Sequence, residues 1–440
     1  MTQRVVIVGA GLAGSLMGVY LARRGMSVQI VERRPDLRAA DISAGKSINL
    51  ALSTRGLTAL AGVGLDGAMR DLSLPMPGRI LHAVDGALAF QPYGLEGQAI
   101  LSISRRELNV ALMNAAQQAG ASLVFERRCV DVDLDAPSIT VEGPDGAIET
   151  FEADVVLGAD GAFSAVRARM QRTDRFDYQQ EFLTHGYKEL SMPAAPGGGH
   201  RIDAGGLHIW PRHRFMMIAL PNLDGTFTCT LFAPFEGPVS FEGLREPEDV
   251  TALFEREFPD ALPHMPTLVD EFFDNPTGSL VTVRCSPYHR GRVALVGDAA
   301  HAVVPFYGQG MNAAFEDCTV LAGLLDAHDG DWDRALAAYS VVRKPDAHAI
   351  ADLALYNYLV MRDKVASRGF LWRKTVDRAL HKWAPQRWIP LYSRVTFSNR
   401  PYSEARREAN RQDELLDRFA LGALGVLCAA AVALLWWLVA

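Results

Sequence analysis

The stretch Arg4-Val-Val-Ile-Val-Gly-Ala-Gly-Leu-Ala-Gly14 decides the fold of the first part of this 440-residue chain. Its apolar start predicts a buried strand, and the good helix formers of Leu12–Arg24 predict a helix directly after the glycines. A second apolar run, Ser27–Val31, predicts another strand. The change from strand to helix and back to strand indicates a βαβ unit and therefore an α/β fold.

The three glycines between strand and helix have the spacing of a dinucleotide-binding turn. Gly9 permits the tight turn, Gly11 lets a pyrophosphate approach the backbone, and Gly14 allows the helix to pack closely on the strand. A phosphate then lies at the positive end of the helix dipole. Glu32 follows 18 residues after Gly14, where a carboxylate can accept hydrogen bonds from ribose hydroxyls. Because this carboxylate would repel a 2′-phosphate, it favours FAD or NAD over NADP.

Two later segments, Val155–Arg167 and Arg292–Asn312, narrow the choice of dinucleotide. Asp298 comes directly after a predicted strand, where its carboxylate can reach a ribityl or ribose hydroxyl. The stretch Gly308–Asn312 opens a helix whose free N–H groups can face the electron-rich end of an isoalloxazine ring. Each feature by itself also suits an ordinary strand-to-turn junction. All three motifs, in this order, resemble the class A flavoprotein aromatic hydroxylases over residues 1–325, which implies a 4-hydroxybenzoate hydroxylase-like fold and bound FAD.

A closer resemblance, to the kynurenine 3-monooxygenase family, lies in shorter segments: Ser47–Ser53, Pro92–Gly94, Phe315–Cys318, Tyr356–Tyr358 and Ile389–Tyr392. In that family an arginine and a tyrosine fourteen residues later hold the substrate carboxylate, which implies these roles for Arg79 and Tyr93. The resemblance adds Asn357 and Tyr392 to the substrate site. It implies flavin contacts at Ala13, Glu32, Arg33, Ala51, Arg105, Val130, Asp298, Met311 and Asn312.

The pocket loop of the family, Pro-Phe-Phe-Gly-Gln-Gly, is represented here by Pro305, Phe306 and Gln309, with Tyr307 in the third place. No side chain is assigned as a proton-transfer catalyst, because the resemblance implies chemistry carried by the flavin. The departure at Tyr307 concerns the flavin side of the pocket and not the reaction.

The residues themselves give partial support for a carboxylate site. A carboxylate in a dry pocket needs a guanidinium group and a hydroxyl donor to offset its desolvation. Arg79 lies in an otherwise uncharged run, residues 74–83, and Tyr93 follows a predicted hairpin. A surface arginine and a packing tyrosine are the alternative interpretation. Phe232 belongs to an apolar sheet face that forms either plain core or the roof of an aromatic substrate site.

We therefore expect a Rossmann-like FAD-binding domain, an antiparallel-sheet substrate domain, C-terminal helices and a hydrophobic tail helix. The expected domains are 1–70, 100–180 and 281–330 for FAD, 71–99 and 181–280 for the substrate, 331–418 for the C-terminal helices and 419–440 for the tail.

The resemblance implies hydroxylation of L-kynurenine to 3-hydroxykynurenine with FAD, NADPH and O₂ through a C4a-hydroperoxyflavin. The sequence has no second nucleotide-binding glycine motif, so we expect NADPH to bind transiently as a co-substrate. Three alternatives stay open: a flavin hydroxylase of another aromatic compound or quinone precursor, a membrane flavin dehydrogenase, and a non-catalytic binding protein on a dinucleotide fold.

Composition argues against several other classes of protein. The net charge of −7 argues against nucleic-acid binding, which normally needs a basic excess. The five cysteines are scattered without a Cys-x-x-Cys pair, which disfavours a disulfide scaffold and a structural zinc site. His200, His208 and His213 do not have the spacing of metal ligands, so no metal is expected.

The last 22 residues, Phe419–Ala440, contain no charge. As a helix they would measure about 33 Å, enough to cross the hydrocarbon core of a bilayer. Arginines precede this segment and no charged residue follows it, so we expect a tail anchor that keeps the body on the cytoplasmic face of a membrane, the inner membrane if the source is a bacterium. A buried helix and an interfacial helix are the alternatives. The sequence leaves open whether the chain forms a homodimer.

Overall fold

The computed structural model describes residues 2–39, 49–360, 368–418 and 422. The strands, in chain order, are β1 (Arg4–Val8), β2 (Ser27–Val31), β3 (Asn49–Leu52), β4 (Ser73–Met76), β5 (Gly78–His82), β6 (Leu88–Pro92), β7 (Ile100–Ser104), β8 (Ser122–Val124), β9 (Arg128–Asp133), β10 (Ser138–Glu142), β11 (Ile148–Glu152), β12 (Val155–Gly158), β13 (Asp177–Met192), β14 (Leu207–Arg212), β15 (Phe215–Pro221), β16 (Phe227–Pro234), β17 (Gly278–Ser286), β18 (His289–Arg290) and β19 (Val293–Leu295).

The helices complete a mixed α/β fold. They are α1 (Leu12–Ala22), α2 (Thr54–Ala61), α3 (Asp66–Asp71), α4 (Arg105–Gln118), α5 (Ala165–Met170), α6 (Pro247–Glu257), α7 (Leu268–Asp274), α8 (Asp298–His301), α9 (Gly310–Ala327), α10 (Trp332–Leu359), α11 (Arg368–Trp383), α12 (Leu391–Thr396) and α13 (402–418). Single 3₁₀ turns lie at Phe241–Gly243, Leu262–His264 and Pro305–Tyr307.

A six-stranded sheet in the order β18-β19-β12-β1-β2-β8 carries the predicted βαβ unit. Strand β1 pairs in parallel with β2 and with β12, and its residues Val5–Val8 are buried. This burial on both faces explains why the strand is a continuous apolar run and not an alternating one. The carboxyl ends of β1, β12 and β19 therefore meet at one edge of the sheet, where the glycine turn and Asp298 follow.

The alternating pattern of residues 122–151, with its Gly143-Pro-Asp-Gly146 turn, predicts a small antiparallel sheet, and the structure corrects this expectation in part. Strands β9, β10 and β11 form such a sheet. Strand β8, however, pairs in parallel with β2 and extends the six-stranded sheet. Three residues are too short a run for periodicity to distinguish the two kinds of pairing.

A second sheet of seven strands, in the order β17-β13-β16-β15-β14-β5-β6, has two different faces. On one face, residues such as Met217 and Leu231 pack against α6 and α7 in a hydrophobic core. On the other face, Met216 and Phe232 pack against Phe306. Because side chains alternate along a strand, consecutive residues such as Met216 and Met217 lie in these two different environments.

The predicted hairpin between Arg79 and Tyr93 is present. Strand β5 pairs antiparallel with β6, with Gly78 opposite Pro92, and the Tyr93 N–H donates to the Pro77 carbonyl at 3.0 Å. Strand β5 also pairs in parallel with β14, which places Arg79 beside Leu207. The hairpin thus closes one end of the seven-stranded sheet.

The C-terminal helices pack over the apolar face that contains Phe232, through residues such as Val395, Tyr402 and Ala405. Within the described part of the chain, no helix is both long and apolar enough to cross a bilayer. The predicted tail helix, residues 419–440, lies outside the described residues apart from Gly422.

Candidate active site

A cavity of ≈ 730 Å³ lies between the two large sheets. Its walls come from the glycine turn after β1, the start of α9, the inner face of the seven-stranded sheet and helix α12. This volume lies in the range of small-molecule and cofactor sites. The site residues predicted from sequence that line the cavity are Gly9, Gly11, Ala13, Glu32, Arg33, Ala51, Arg79, Tyr93, Arg105, Phe232, Asp298, Pro305, Phe306, Gln309, Met311 and Tyr392.

The glycine turn forms an open cradle at one end of the cavity. Gly9 has a φ of +105°, and a Cβ there would lie 2.6 Å from the Ala159 carbonyl oxygen, so only glycine fits. A Cβ on Gly11 would meet nothing within 4 Å, so the backbone at Gly11 is open to a ligand. Gly14 does not line the cavity; a Cβ there would lie 2.0 Å from the Gly9 carbonyl oxygen. Gly14 therefore lets the helix pack against the turn, as the motif predicts.

Three carboxylates border the same end of the cavity. Glu32 accepts a hydrogen bond from the Ala10 N–H at 2.9 Å and one from Arg34 Nε at 2.8 Å. Burial raises the pKa of Glu32, but the hydrogen bonds and charge of Arg34 outweigh this effect and hold that pKa below its usual value. Asp160 has one buried oxygen, Oδ1, without a hydrogen-bond partner among the described residues. These acceptors, with Asp298, suit the hydroxyls of a ribose and a ribityl chain.

At the other end, Arg79 lies between two tyrosines. Its guanidinium carbon is 5.2 Å from the ring centre of Tyr93 and 5.0 Å from that of Tyr392. Within the described chain no carboxylate pairs with Arg79, and its buried Nε has no hydrogen-bond partner. The buried Tyr93 hydroxyl likewise makes no hydrogen bond of normal geometry in the described part of the structure.

The electrostatics of this group favour an anionic ligand. Burial acts to lower the pKa of Arg79, but the Tyr392 and Tyr93 hydroxyls outweigh it and raise that pKa above its usual value. Burial also raises the pKa of both tyrosine hydroxyls, so they stay neutral and can donate hydrogen bonds. A buried cation beside two neutral donors is costly unless a carboxylate or similar anion binds it.

Aromatic rings cover the space between the two ends. The Phe232 ring lies 5.1 Å from that of Phe306, and Tyr307 stacks on Tyr392 at 5.6 Å between ring centres. The Asn357 side-chain nitrogen donates to the Phe306 carbonyl at 2.6 Å. Asn357 therefore contacts the back of the pocket loop and does not line the cavity.

Two predicted flavin contacts also lie outside the cavity lining. Asn312 is fully buried behind the wall, where its amide donates to the Ala51 and Gly308 carbonyls at 2.8 and 2.9 Å. Val130 is 40% exposed on β9, although its neighbour Cys129 lines the cavity. Asn312 thus shapes the wall from behind.

The cavity includes residues that sequence reasoning did not single out as site residues. Asp160, Tyr187, Met216 and Tyr307 line it. Asp160 and Tyr307 stand within quoted motifs, and the departure of the loop at Tyr307 is a signal that could have marked this residue. Tyr187 and Met216 carry no sequence signal, because only the packing of the sheet against the loop brings them to the cavity.

Comparisons with known proteins show which family and which fold this chain resembles. A family model described as an FAD binding domain matches residues 2–354, which confirms the prediction that the chain binds FAD. The chain is 48% identical over 416 residues to kynurenine 3-monooxygenase of Flavobacterium johnsoniae, covering 94% of this chain and 93% of that protein. It is 44% identical over 406 residues to kynurenine 3-monooxygenase of Sus scrofa, covering 91% of this chain and 85% of that protein. The solved tetrameric form of 2-methyl-3-hydroxypyridine-5-carboxylic acid oxygenase has a similar fold, with a TM-score of 0.69 at 24% identity over 83% of this chain and 94% of that one.

Proposed function

The chain belongs to the kynurenine 3-monooxygenase family, and from this premise we propose that it hydroxylates L-kynurenine to 3-hydroxykynurenine with FAD, NADPH and O₂. The observation that carries the proposal is the buried group of Arg79, Tyr93 and Tyr392, in which Arg79 Nε and the Tyr93 hydroxyl have no hydrogen-bond partner among the described residues, in a cavity that also contains the glycine cradle. Kynurenine is a zwitterion whose carboxylate matches the cation and whose aryl ring matches the aromatic lining.

The residues present fit FAD. The open backbone at Gly11 suits the pyrophosphate, Glu32 the ribose, and Asp298 the ribityl chain, while Met311 lines the wall at the start of α9. FAD, when bound, supplies the redox chemistry that joins NADPH oxidation to the activation of O₂. The protein supplies binding, orientation and the exclusion of water.

Substrate orientation is the first task of the side chains. A guanidinium group and two hydroxyl donors can hold a carboxylate in one geometry, which fixes the distance of the aryl ring from the flavin side of the cavity. The amino group of kynurenine makes its ring electron-rich at the ortho carbon, so the site needs no strong base. We accordingly assign Arg79, Tyr93 and Tyr392 to binding and orientation and assign no proton-transfer residue.

Exclusion of water is the second task. Phe232 and Phe306 are 4% and 8% exposed, and together with Tyr307 they give the middle of the cavity an apolar wall. A dry wall keeps water away from the activated oxygen. If water entered, this oxygen would be lost as H₂O₂ instead of being transferred to the substrate. The amount of hydroxylated product formed for each NADPH oxidised therefore measures how well this wall excludes water.

The proposal is tested by NADPH oxidation in the presence of different aromatic acids. L-Kynurenine should accelerate oxidation and yield 3-hydroxykynurenine, whereas 4-hydroxybenzoate should do neither. Acceleration by a phenolic acid or quinone precursor instead would favour another flavin hydroxylase. Reduction of a quinone analogue without consumption of O₂ would indicate a dehydrogenase, and a purified protein without flavin absorption, even after addition of FAD, would leave a non-catalytic binding protein.

We also propose that residues 419–440 attach the protein to the cytoplasmic face of a membrane. The support is in the sequence. This stretch is uncharged, carries Trp436 and Trp437 close to its last residue, and follows directly after Arg418.

A further inference from the structure

A buried hydrogen bond joins the C-terminal helix α13 to the wall of the cavity. The Tyr402 hydroxyl lies 2.9 Å from Gln309 Oε1, and the two residues are 0% and 2% exposed. They stand 93 positions apart in sequence. Gln309 lines the cavity, whereas Tyr402 stands behind it.

The amide nitrogen of Gln309 also has a polar neighbour. Its Nε2 lies 3.4 Å from Ser53 Oγ, and the Ser53 N–H donates to Asn312 Oδ1 at 2.9 Å. Gln309 therefore has its amide oxygen on Tyr402 and its amide nitrogen directed at Ser53. Because Gln309 immediately precedes α9, these contacts fix the backbone at the start of that helix.

Tyr402 is itself held firmly. The Arg55 guanidinium carbon lies 3.8 Å above the centre of its ring, and Arg55 is 1% exposed. Arg55 also forms an ion pair with Glu316 of α9 and donates to the Arg400 carbonyl. A stacked, charge-paired arginine of this kind restricts the ring, so the direction of the Tyr402 hydroxyl is set before any ligand binds.

We propose that Tyr402 is a positioning residue for the reaction, which holds the Gly308–Met311 wall of the cavity through Gln309. The inference rests on the proposed function in one respect, since it takes this wall to be the flavin side of the site. Loss of the hydroxyl would leave Gln309 Oε1 buried without a donor, and an unsatisfied buried acceptor favours rotation of the amide and movement of the wall. Arg79 and Tyr93 lie at the other end of the cavity and would stay in place.

The variant Tyr402→Phe keeps the ring on Arg55 and removes only the hydroxyl. We expect its dissociation constant for FAD, measured by titration of the apoprotein, to rise about 10-fold, as loss of roughly 1.4 kcal/mol requires. More H₂O₂ should form for each NADPH oxidised, while the KM for kynurenine should change less than about 3-fold.

Tyr20→Phe is the matched control, because the buried Tyr20 hydroxyl donates to the Ala59 carbonyl at 2.6 Å and does not line the cavity. It should lower thermal stability without changing FAD affinity or coupling. If Tyr402→Phe behaves like Tyr20→Phe, Tyr402 is merely structural and the proposal is overturned.

A double-mutant cycle with Gln309→Leu shows whether Tyr402 affects FAD binding through Gln309 or independently of it. In the Gln309→Leu background, Tyr402→Phe should have no further effect on FAD affinity, whereas additive effects would overturn the proposal. Gln309→Leu alone also tests the contact if Tyr402→Phe does not fold. The measurement of FAD affinity does not require turnover of kynurenine. If the enzyme acts on a different substrate, the proposed function is wrong, but the result for Tyr402 and Gln309 still holds.

Discussion

Tyr93 and Tyr392 stack with their ring centres 5.2 Å apart and their planes 13° from parallel, although 299 positions separate them in the chain. Tyr307 also stacks on Tyr392, with ring centres 5.6 Å apart, which joins the three tyrosines in one stacked column. Arg79 lies beside two members of this column. The proposed carboxylate site thus combines a hairpin of the seven-stranded sheet, a C-terminal helix and the pocket loop.

Arg79→Ala should raise the KM for kynurenine about 100-fold or more, because loss of the guanidinium group leaves the substrate carboxylate without its cation. FAD should stay bound, since the glycine cradle is at the other end of the cavity. Steady-state kinetics together with the flavin spectrum measure the two effects. Arg23→Ala, at an exposed arginine, is the control, and an unchanged KM in Arg79→Ala would reject the carboxylate assignment.

Tyr392→Phe should raise the KM for kynurenine by roughly 5- to 15-fold, the effect of one lost hydrogen bond to a charged group. The aromatic column should persist, because phenylalanine keeps the ring. Thermal unfolding should therefore change by less than about 3 °C. A normal KM combined with a large loss of stability would assign the hydroxyl to the fold instead of the substrate.

Gly9→Ala should yield protein with little or no bound flavin. The added Cβ meets the Ala159 carbonyl oxygen at 2.6 Å, and a φ of +105° is strained for any side chain, so the turn must move. The ratio of visible to ultraviolet absorbance of the purified protein measures FAD content. Gly67→Ala serves as the control, since its Cβ meets nothing within 4 Å, and equal flavin loss in both variants would refute this explanation.

The stability of the protein should fall as the pH drops from about 6.5 to about 4, and His208 should contribute to this fall. Burial lowers the pKa of His208 to about 4, and its Nε2 lies 2.5 Å from the Asp203 carbonyl oxygen. Because the folded pKa is below the unfolded one, the unfolded state binds the extra proton within this window. The loss is on the order of 2–3 kcal/mol.

Denaturant unfolding at a series of pH values measures this effect. His208→Gln should flatten the slope of stability against pH between about 4 and 6.5, whatever its effect on absolute stability. His213→Asn is a suitable control, because His213 is exposed with a φ of +56°, which asparagine tolerates. A slope that His208→Gln leaves unchanged would show that other groups cause the acid sensitivity.

Truncation after Arg418 should release the protein from membranes. The full chain should sediment with membranes and resist extraction by high salt, because attachment through an apolar segment is not electrostatic. The truncated chain should stay in the supernatant, with its flavin absorption as the check on folding. Sedimentation of the truncated form would contradict attachment by residues 419–440 alone.

The local sequence was sufficient for the βαβ unit and the β5–β6 hairpin. In each case a strand or helix period, together with glycine at a turn, restricts the backbone to one local structure. The family resemblance, which rests on short motifs, added the 4-hydroxybenzoate hydroxylase-like fold, FAD and the substrate, and the comparisons confirm the family. The placement of β8 was wrong because its pairing partner, β2, lies far away in sequence.

The sequence by itself determined the glycine cradle, because the cradle depends on backbone angles that neighbouring residues set, whereas the residues of the proposed carboxylate site came from the family resemblance. Only the tertiary structure decided that Phe232 faces the cavity, that Asn357 and Asn312 stand behind its wall, and that Tyr402 reaches Gln309. The hydrogen bonds of Asn357, Tyr402 and Asn312 join residues that are 51, 93 and 261 positions apart. Their geometry depends on how sheets and helices pack, and the local spacing of apolar residues along the chain does not specify that packing.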